Sequence, residues 1–229
     1  MKYMIVGLGN FGSYLAKRLT ELGHEVVGVD TSELKIEQIK DQITHAVALN
    51  ATDPEAVKNL PMKGCDVVII AIGEDVGASI MATAIFKQMN VKRIIGRAIN
   101  ALHETVIRAI GVEEIIHPEE ETAERLAKRL EFRGVIDSLE ISNDYNIVEV
   151  KAPKRYIGKS IAEGNFRQDF LLNILTVIRL SEKVTLFGAK IPNREVLGVV
   201  NPEFVIQEND LLLIFGKITN IQEFLDLED

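Results

Sequence analysis

Short apolar runs alternate with amphipathic segments along the first half of the chain. Residues 2–6 form an apolar run typical of a buried strand, and apolar side chains spaced three or four apart in residues 11–22 predict a helix after it. Further strands are predicted at residues 25–29, 45–49, 66–71, 93–97 and 114–117. The segment 66–71 is almost uninterrupted Val and Ile, as in a strand buried on both faces of a parallel sheet. This alternation predicts an α/β fold with a Rossmann-like, doubly wound parallel sheet.

The helices between these strands carry recognisable start and stop residues. Asn100 is expected to cap a helix that ends at Gly111. This helix carries Leu102, Val106 and Ile110 at helical spacing.

Residues 119–132 form a different kind of segment, because a helix here follows the last predicted strand of the sheet. Gly134 ends it, and its apolar stripe consists of Ala123, Leu126, Ala127 and Leu130. We predict a connector helix that contacts a second copy of the chain. The alternative is a linker helix that packs on its own domain.

The second part of the chain is dominated by strand-like segments. They lie at residues 135–141, 146–150, 174–180, 184–187, 204–206 and 211–215. Two short helices are predicted at residues 160–170 and 218–225, and Asn209-Asp210 reads as a turn. We therefore predict a small α+β C-terminal domain at residues 134–229, after a first domain at residues 1–133 that includes the connector helix.

The turn between the first strand and the first helix carries a complete G-x-G-x-x-G motif. Its residues are Gly7, Leu8, Gly9, Asn10, Phe11 and Gly12. The first glycine permits the tight turn, the second lets a pyrophosphate approach the backbone, and the third lets the helix pack close to the sheet. Asp30 ends the next strand, where a carboxylate accepts hydrogen bonds from an adenosine ribose and disfavours the 2′-phosphate of NADP. The alternative is a vestigial Rossmann fold whose glycines serve packing alone.

Loops that follow the other strands supply further candidate binding residues, because ligands lie beyond the carboxyl ends of the strands in such sheets. These residues are Asn50, Ala51, Thr52, Ile72, Gly73, Glu74 and Arg97. Asn50 and Thr52 either reach the adenine or ribose or cap a helix. Gly73 either admits a ligand to the backbone or forms a plain turn. Arg97 either contacts a phosphate or an interface or is a solvated surface arginine.

Composition narrows the function classes. The chain has 229 residues, of which 47% are hydrophobic, and a formal net charge of -8, which argues against a nucleic-acid partner. No apolar run approaches the ~20 residues that a membrane-spanning helix needs. Met1 leads directly into the first strand, leaving no room for a signal peptide, so we expect a cytoplasmic protein. Cys65, the single cysteine, is expected to be a small core or strand-edge residue.

Catalytic chemistry is not visible in the sequence. A dehydrogenase needs a proton donor or acceptor beside the nicotinamide. Of the 4 histidines, His24, His45 and His103 are expected to be structural or solvated, and His117 lies at a strand end where it could touch a ligand or an interface. We predict no catalytic residue and no enzyme activity, with a nucleotide that is sensed and not chemically used.

Several short motifs occur together in this chain. In the first part they are residues 7–12, Asp30, 50–53, 97–98, Gly111 and 116–119, and in the second part 158–161, Arg167, 173–174, 178–179, 209–211 and 215–216. The first part resembles the RCK (regulator of K⁺ conductance) domain of TrkA/KtrA-type potassium-uptake proteins. The second part resembles the RCK_C (TrkA-C) domain.

The resemblance implies a cytosolic gating subunit that is associated with the inner face of the cell membrane through a K⁺ channel subunit of the TrkH/KtrB type. It implies a homodimer that assembles into a ring, a tetramer or an octamer, whose shape changes with bound NAD(H), ADP or ATP. Many KtrA-like members carry Arg, a contact for the γ-phosphate, where this chain has Asn10. The neutral Asn10 therefore favours NAD(H) or ADP/AMP over ATP.

Two further ligands are implied by the resemblance. Glu119 matches a glutamate that helps to hold a divalent cation at the dimer interface of some relatives; the alternative is a solvated helix N-terminus. Four residues fall on positions where some relatives bind cyclic di-AMP between two protomers, the alternative being a pure dimerisation domain. They are Ile161, Arg167, Asn173 and Ile174.

Two other functions stay open at this point. One is an NAD-dependent oxidoreductase. The other is a nucleotide-responsive regulator of a different membrane transporter, such as an antiporter.

Overall fold

The computed structural model describes residues 1–131, 134–184 and 190–226 and divides into two compact units, Met1–Glu121 and Thr122–Asp229. The division falls inside the predicted connector helix, whose last residue, Phe132, lies outside the described residues. The predicted domain boundary after residue 133 stays a prediction. Within the described ranges, no helix is long and apolar enough to cross a bilayer.

Six parallel strands form the sheet of the first unit, in the order β3-β2-β1-β4-β5-β6. They are β1 (Lys2–Val6), β2 (Glu25–Asp30), β3 (His45–Ala48), β4 (Val67–Ile70), β5 (Ile94–Arg97) and β6 (Glu114–Ile116). The helices of this unit are α1 (Asn10–Glu21), α2 (Glu33–Ile39), α3 (Pro54–Val57), α4 (Val76–Gln88) and α5 (Ala101–Ala109), and α6 (Pro118–Glu131) begins in it. The predicted Rossmann-like fold is confirmed.

The central strands are buried on both faces, as their composition predicts. Met4 and Val6 of β1 belong to one apolar cluster, whereas Ile5 between them belongs to another. All four residues of β4 are buried in the same alternating way. Helices therefore cover the sheet on both sides, which is the doubly wound arrangement.

Helix α5 begins after Asn100, as predicted, but its evenly spaced apolar residues do not mark its buried face. Its buried residues are His103 and Ile107, whereas Leu102 is 75% exposed. The cause lies on β5, where Gly96 has no side chain. A Cβ on Gly96 would lie 3.0 Å from Ile107, so the helix packs with Ile107 against this position. His103 shares that face because it lies one turn before Ile107.

The imidazole of His103 is buried as a result. Neither ring nitrogen has a hydrogen-bond partner among the residues that the structure describes. Burial lowers the pKa of His103, because the protonated form loses its hydration.

Five antiparallel strands form the sheet of the second unit, in the order β10-β9-β11-β8-β7. They are β7 (Val135–Glu140), β8 (Tyr145–Lys151), β9 (Asn173–Val184), β10 (Lys190–Val196) and β11 (Asp210–Lys217). A 3₁₀ helix (Lys154–Tyr156) and two α-helices, α7 (Phe166–Asp169) and α8 (Ile218–Asp226), complete it. The predicted α+β class is confirmed.

Several elements of this unit differ from the sequence predictions. The helix predicted at 160–170 shrinks to α7, because Asn165 takes a left-handed conformation with φ 47°. The strand predicted at 204–206 is only an isolated bridge between Val205 and Ser160. Strand β10 was not predicted, since its segment is polar and contains Pro192. The strand predicted at 184–187 lies outside the described residues, apart from Val184, which ends β9.

A buried ion pair fastens the start of β11. Asp210 is fully buried and accepts hydrogen bonds from Nε of Arg179 at 2.9 Å and from Nη2 at 3.0 Å. The backbone N–H of Gln207 donates to the same carboxylate at 2.8 Å. The bond to Asp210 raises the pKa of Arg179. The predicted turn at Asn209-Asp210 is thus fixed by a charged side chain of the neighbouring strand.

Helix α1 packs unusually close to the sheet at Gly12. A Cβ on Gly12 would lie 1.9 Å from the carbonyl oxygen of Gly7 and 3.3 Å from Cβ of Ala71. A Cβ on Gly9 would meet nothing within 4 Å. Gly12 is therefore required by the packing itself, whereas Gly9 is free of that constraint.

We expect Gly12→Ala to lower the free energy of unfolding by roughly 2 kcal/mol or more, because backbone atoms must move to admit the methyl group. Gly9→Ala, the matched control, should cost less than about 1 kcal/mol. Urea unfolding followed by circular dichroism measures both values. Equal losses for the two variants would contradict the packing argument.

We also expect His103 to make stability depend on pH. The unfolded chain protonates His103 near its ordinary pKa of 6.5, whereas burial holds the folded pKa lower. The contribution of neutral His103 is therefore present above that pH and is lost as pH falls. The free energy of unfolding of the wild type should fall between about pH 7.5 and about pH 5.5, and His103→Leu should reduce this fall. The exposed His45, changed to Gln, serves as the control. An unchanged pH dependence in His103→Leu would refute this assignment.

Candidate nucleotide-binding site

A cavity of about 740 Å³ lies at the carboxyl ends of the strands of the first unit. The loops after β1, β2, β3, β4 and β5 all contribute to its walls. The predicted residues that line it are Gly7, Gly9, Asn10, Phe11, Asp30, Asn50, Ala51, Thr52, Ile72, Gly73, Glu74 and Arg97. The strand order reverses between β1 and β4, so the cavity lies where open α/β sheets bind their ligands.

The glycine turn forms the centre of the cavity wall. Gly7 has φ +98° and donates its N–H to the carbonyl oxygen of Val29 at 2.8 Å. A Cβ there would lie 2.9 Å from the backbone nitrogen of Ile72. Gly9 is the N-cap of α1 and has no side chain to cap the helix. The first N–H groups of α1 have no intrahelical acceptor, which suits this wall to an anionic group.

Two residues of the predicted set lie behind this wall, not on it. Gly12 is covered by the turn at Gly7, and Leu8 is buried in the core. Leu8 contributes through its backbone, since its N–H donates to Oδ2 of Asp30 at 2.7 Å and its carbonyl accepts from Oγ of Ser13 at 2.9 Å.

Asp30 links the loops after β1 and β2. Besides the bond from Leu8, its Oδ1 accepts from the backbone N–H of Ser32 at 2.9 Å. Nζ of Lys35 lies 3.5 Å from Oδ2, and the side chain of Asp30 is only 9% exposed. The carboxylate is therefore held in place while it lines the cavity, as a ribose contact requires.

Asn50 and Thr52 form one small hydrogen-bonded unit. Oδ1 of Asn50 accepts from the backbone N–H of Thr52 at 3.0 Å and from its Oγ1 at 2.8 Å. The helix-capping alternative is wrong for both residues, because Asp53 caps α3. Ala51 between them is buried, yet it lines the cavity.

Arg97, the last residue of β5, places a positive charge in the wall of the cavity. Its side chain is only 13% exposed, so the alternative of a solvated surface arginine is wrong. Nη1 donates to the carbonyl oxygen of Ala71 at 3.2 Å, and the guanidinium lies 5.6 Å from the ring centroid of Phe11. A Cβ on Gly73 would lie 2.6 Å from Nη1, so Gly73 makes room for this side chain.

Glu119 also lines the cavity and forms an ion pair with Nη2 of Arg97. The Glu119 carboxylate, for which the resemblance implies a divalent cation, thus has a positively charged partner in its own chain. The described residues contain no group of three or more His, Cys, Asp or Glu side chains that could hold a metal ion. A cation site shared with a second copy of the chain stays a prediction.

Sequence reasoning missed several lining residues. Lys35 lies in the first turn of α2, directly after the Asp30 loop, and Asp75, Gly77, Ala78 and Met81 lie at the start of α4. The signal that identifies them is positional. The helices after β2 and β4 begin at the edge of the sheet where those strands end. Their first turns therefore face the cavity.

The histidines lie outside the cavity lining. His117 places Nε2 3.0 Å from Oε2 of Glu104, and His24 packs its ring 5.3 Å from that of Tyr3. Glu104 is also bound by Arg108, and this hydrogen bond lowers the pKa of Glu104. Cys65 packs against the core, as predicted, and burial raises the pKa of its thiol.

Two of the four candidates of the second unit are in direct contact. Nη2 of Arg167 donates to Oδ1 of Asn173 at 2.6 Å, which brings these two polar side chains together. Ile161 and Ile174 are half-buried and pack against the core of the unit.

The arrangement of the first unit suits an elongated ligand with a phosphate at its middle. Hydrogen-bonding groups of the β2 and β3 loops lie to one side of the glycine turn, and the β4 and β5 loops with Arg97 lie to the other. An adenine nucleotide has this distribution of groups, with its sugar on one side of the phosphates.

Family models match most of the chain. The TrkA-N domain model matches residues 3–118, and the TrkA-C domain model matches residues 147–228. Two curated relatives from Bacillus subtilis (strain 168) are similar over nearly their whole length. Ktr system potassium uptake protein C is 34% identical over 97% of this chain and 95% of its own. Ktr system potassium uptake protein A is 32% identical, also over 97% of this chain and 95% of its own.

Solved structures share the fold at lower identity. The GsuK RCK domain has a TM-score of 0.62 and 18% identity, covering 99% of this chain and 47% of its own. The GsuK channel bound to NAD has a TM-score of 0.61 and 19% identity, and the match covers 98% of this chain and 39% of the channel chain. This chain thus spans less than half of those longer chains. Together with the domain models and the Bacillus relatives, the fold leads to one conclusion: the chain belongs to the TrkA/Ktr family of potassium uptake proteins, with a TrkA-N domain followed by a TrkA-C domain.

Proposed function

We propose that this protein is the nucleotide-binding regulatory subunit of a potassium uptake system. The observation that carries the proposal is the cavity of the first unit, in which the glycine turn, Asp30 and Arg97 line one continuous space. The relatives named potassium uptake proteins support the transport role. Binding regulates flux only if the ligand has different affinities for the conducting and non-conducting assemblies.

The ligand that we propose is an adenine nucleotide, either NAD(H) or ADP, with ATP less favoured. Asp30 suits an unmodified adenosine ribose, and the NAD-bound GsuK channel has the same fold. Asn10 lines the cavity and brings no positive charge to it. The glycine turn offers the backbone donors that a pyrophosphate needs.

The partner that we propose is a membrane K⁺ channel subunit of the TrkH/KtrB type, which places this protein at the inner face of the cell membrane. We further propose a homodimer that assembles into a ring, as a tetramer or an octamer. Leu126 and Leu130 on α6 support a contact between copies, since these residues are 49% and 79% exposed. Solvent-exposed leucines on one helix face are typical of such contacts.

Cyclic di-AMP is the second ligand that we propose, bound by the C-terminal domain between two protomers. The neighbouring side chains of Arg167 and Asn173 support it, because a guanidinium suits a phosphate and an amide suits a base edge. A divalent cation at Glu119, shared between copies, completes the set of proposed ligands.

Isothermal titration with NAD⁺, NADH, ADP and ATP tests the first-unit site. Wild-type protein should bind at least one of them, and Asp30→Asn should weaken that binding by roughly tenfold, because the ribose loses a charged acceptor. Asp41→Asn, on an exposed residue away from the cavity, should leave affinity unchanged. Failure of all four nucleotides to bind would overturn the proposed function.

The oxidoreductase alternative makes a different prediction. Steady oxidation of NADH by the purified protein with any carbonyl substrate would favour it over a regulatory role. Co-purification from membranes with a K⁺ channel subunit would favour the potassium role over regulation of another transporter.

Titration with cyclic di-AMP tests the C-terminal site separately. Arg167→Gln should weaken binding by about tenfold through loss of a charged hydrogen bond to phosphate. Arg18→Gln, on an exposed arginine of the first unit, is the control. Absence of binding to the wild type would leave the C-terminal domain with an assembly role only.

A further inference from the structure

The cavity has two ends that differ in chemistry. Asp30 and Asn50 belong to the loops after β2 and β3, on one side of the glycine turn. Gly73 and Arg97 belong to the loops after β4 and β5, on the other side. Under the proposed function, an adenosine near Asp30 and a phosphate at the glycine turn direct the far end of the ligand towards Arg97.

Arg97 is the cation available at that far end. The other cation among the described lining residues, Lys35, lies beside Asp30 at the adenosine end. Arg97 is held by contacts to Phe11 and to the carbonyl of Ala71, and Gly73 leaves space for it. Its Nε is buried and has no hydrogen-bond partner among the described residues.

The ion pair with Glu119 can be exchanged for another anion. The side chain of Glu119 is 65% exposed, whereas that of Arg97 is 13% exposed. The arginine is therefore the fixed member of the pair and the carboxylate the replaceable one. A guanidinium binds phosphate oxygens bidentately, so a phosphate competes well with a single carboxylate oxygen.

We propose that Arg97 distinguishes nucleotides that end in a phosphate from those whose phosphates are closed by a sugar, by exchanging Glu119 for the terminal phosphate. The last phosphate of ADP and ATP is a terminal group that carries an extra negative charge, whereas the second phosphate of NAD⁺ and ADP-ribose is esterified to a neutral ribose. Only the first class displaces Glu119 from Arg97. Because Glu119 lies in the first turn of α6, this exchange also changes the interactions of that helix.

ADP and ADP-ribose are the matched pair of ligands for the test, since they differ only beyond the pyrophosphate. Isothermal titration should show that Arg97→Gln weakens ADP binding by about tenfold and ADP-ribose binding by less than about threefold. Glu119→Gln removes the competing charge, so ADP should bind about threefold more tightly and ADP-ribose should not change. Arg97→Lys, which keeps the charge without the bidentate geometry, should fall between wild type and Arg97→Gln.

Arg93→Gln is the control variant. Arg93 lies just before β5, outside the cavity lining, and pairs with the exposed Glu114. Equal weakening of ADP and ADP-ribose in Arg97→Gln would overturn the inference, because Arg97 would then not distinguish a terminal phosphate from an esterified one. An unchanged ADP affinity in Glu119→Gln would overturn it as well, and this variant decides the matter if Arg97→Gln does not fold. If the wild type binds neither ligand, the proposed function fails, which is a different result from binding without discrimination.

Discussion

The contact between the carbonyl of Gly7 and the backbone of Gly12 is the constraint on which the first unit depends. It leaves no space for a side chain on Gly12 and so fixes how closely α1 packs on the sheet. Since β1 is a central strand, this contact also places the start of α1 at the edge where the strand order reverses. Most of the other walls of the cavity are loops of strands that pair with β1 directly or through one neighbour, and Glu119 of α6 adds to them.

Charge in the cavity is balanced within the chain. Asp30 is neutralised in part by two backbone N–H groups and Lys35, and Arg97 is bound by Glu119 and a carbonyl oxygen. Weakly hydrated charges need such partners in order to be retained in a folded protein. Recognition of an ionic ligand therefore has to replace existing contacts, and selectivity depends on which of them is easiest to replace.

The spacing of apolar residues and the residue types at the turns made much of the first unit predictable. Two of these signals are local: uninterrupted apolar runs for strands buried on both faces, and a glycine motif at the first turn. The parallel sheet and the position of most lining residues follow from them. The orientation of α5 was not predictable, because it depends on the missing side chain of Gly96 on another element. Lys35 was missed for a similar reason, since its place in the cavity depends on where α2 begins relative to β2. In the second unit, polar β10 gains its strand conformation by pairing with β9, which the sequence of β10 does not reveal.

The bonds of Asp30 to Leu8 and Ser32 have a kinetic consequence. They join two loops before any ligand arrives, so little conformational entropy remains to be lost when the adenosine end of a ligand docks. A rigid recess of this kind favours rapid capture, with differences in affinity arising mainly in the lifetime of the complex. Occupancy of such a recess follows the surrounding concentration of its ligand with little delay, which is the property that a sensor of metabolic state requires.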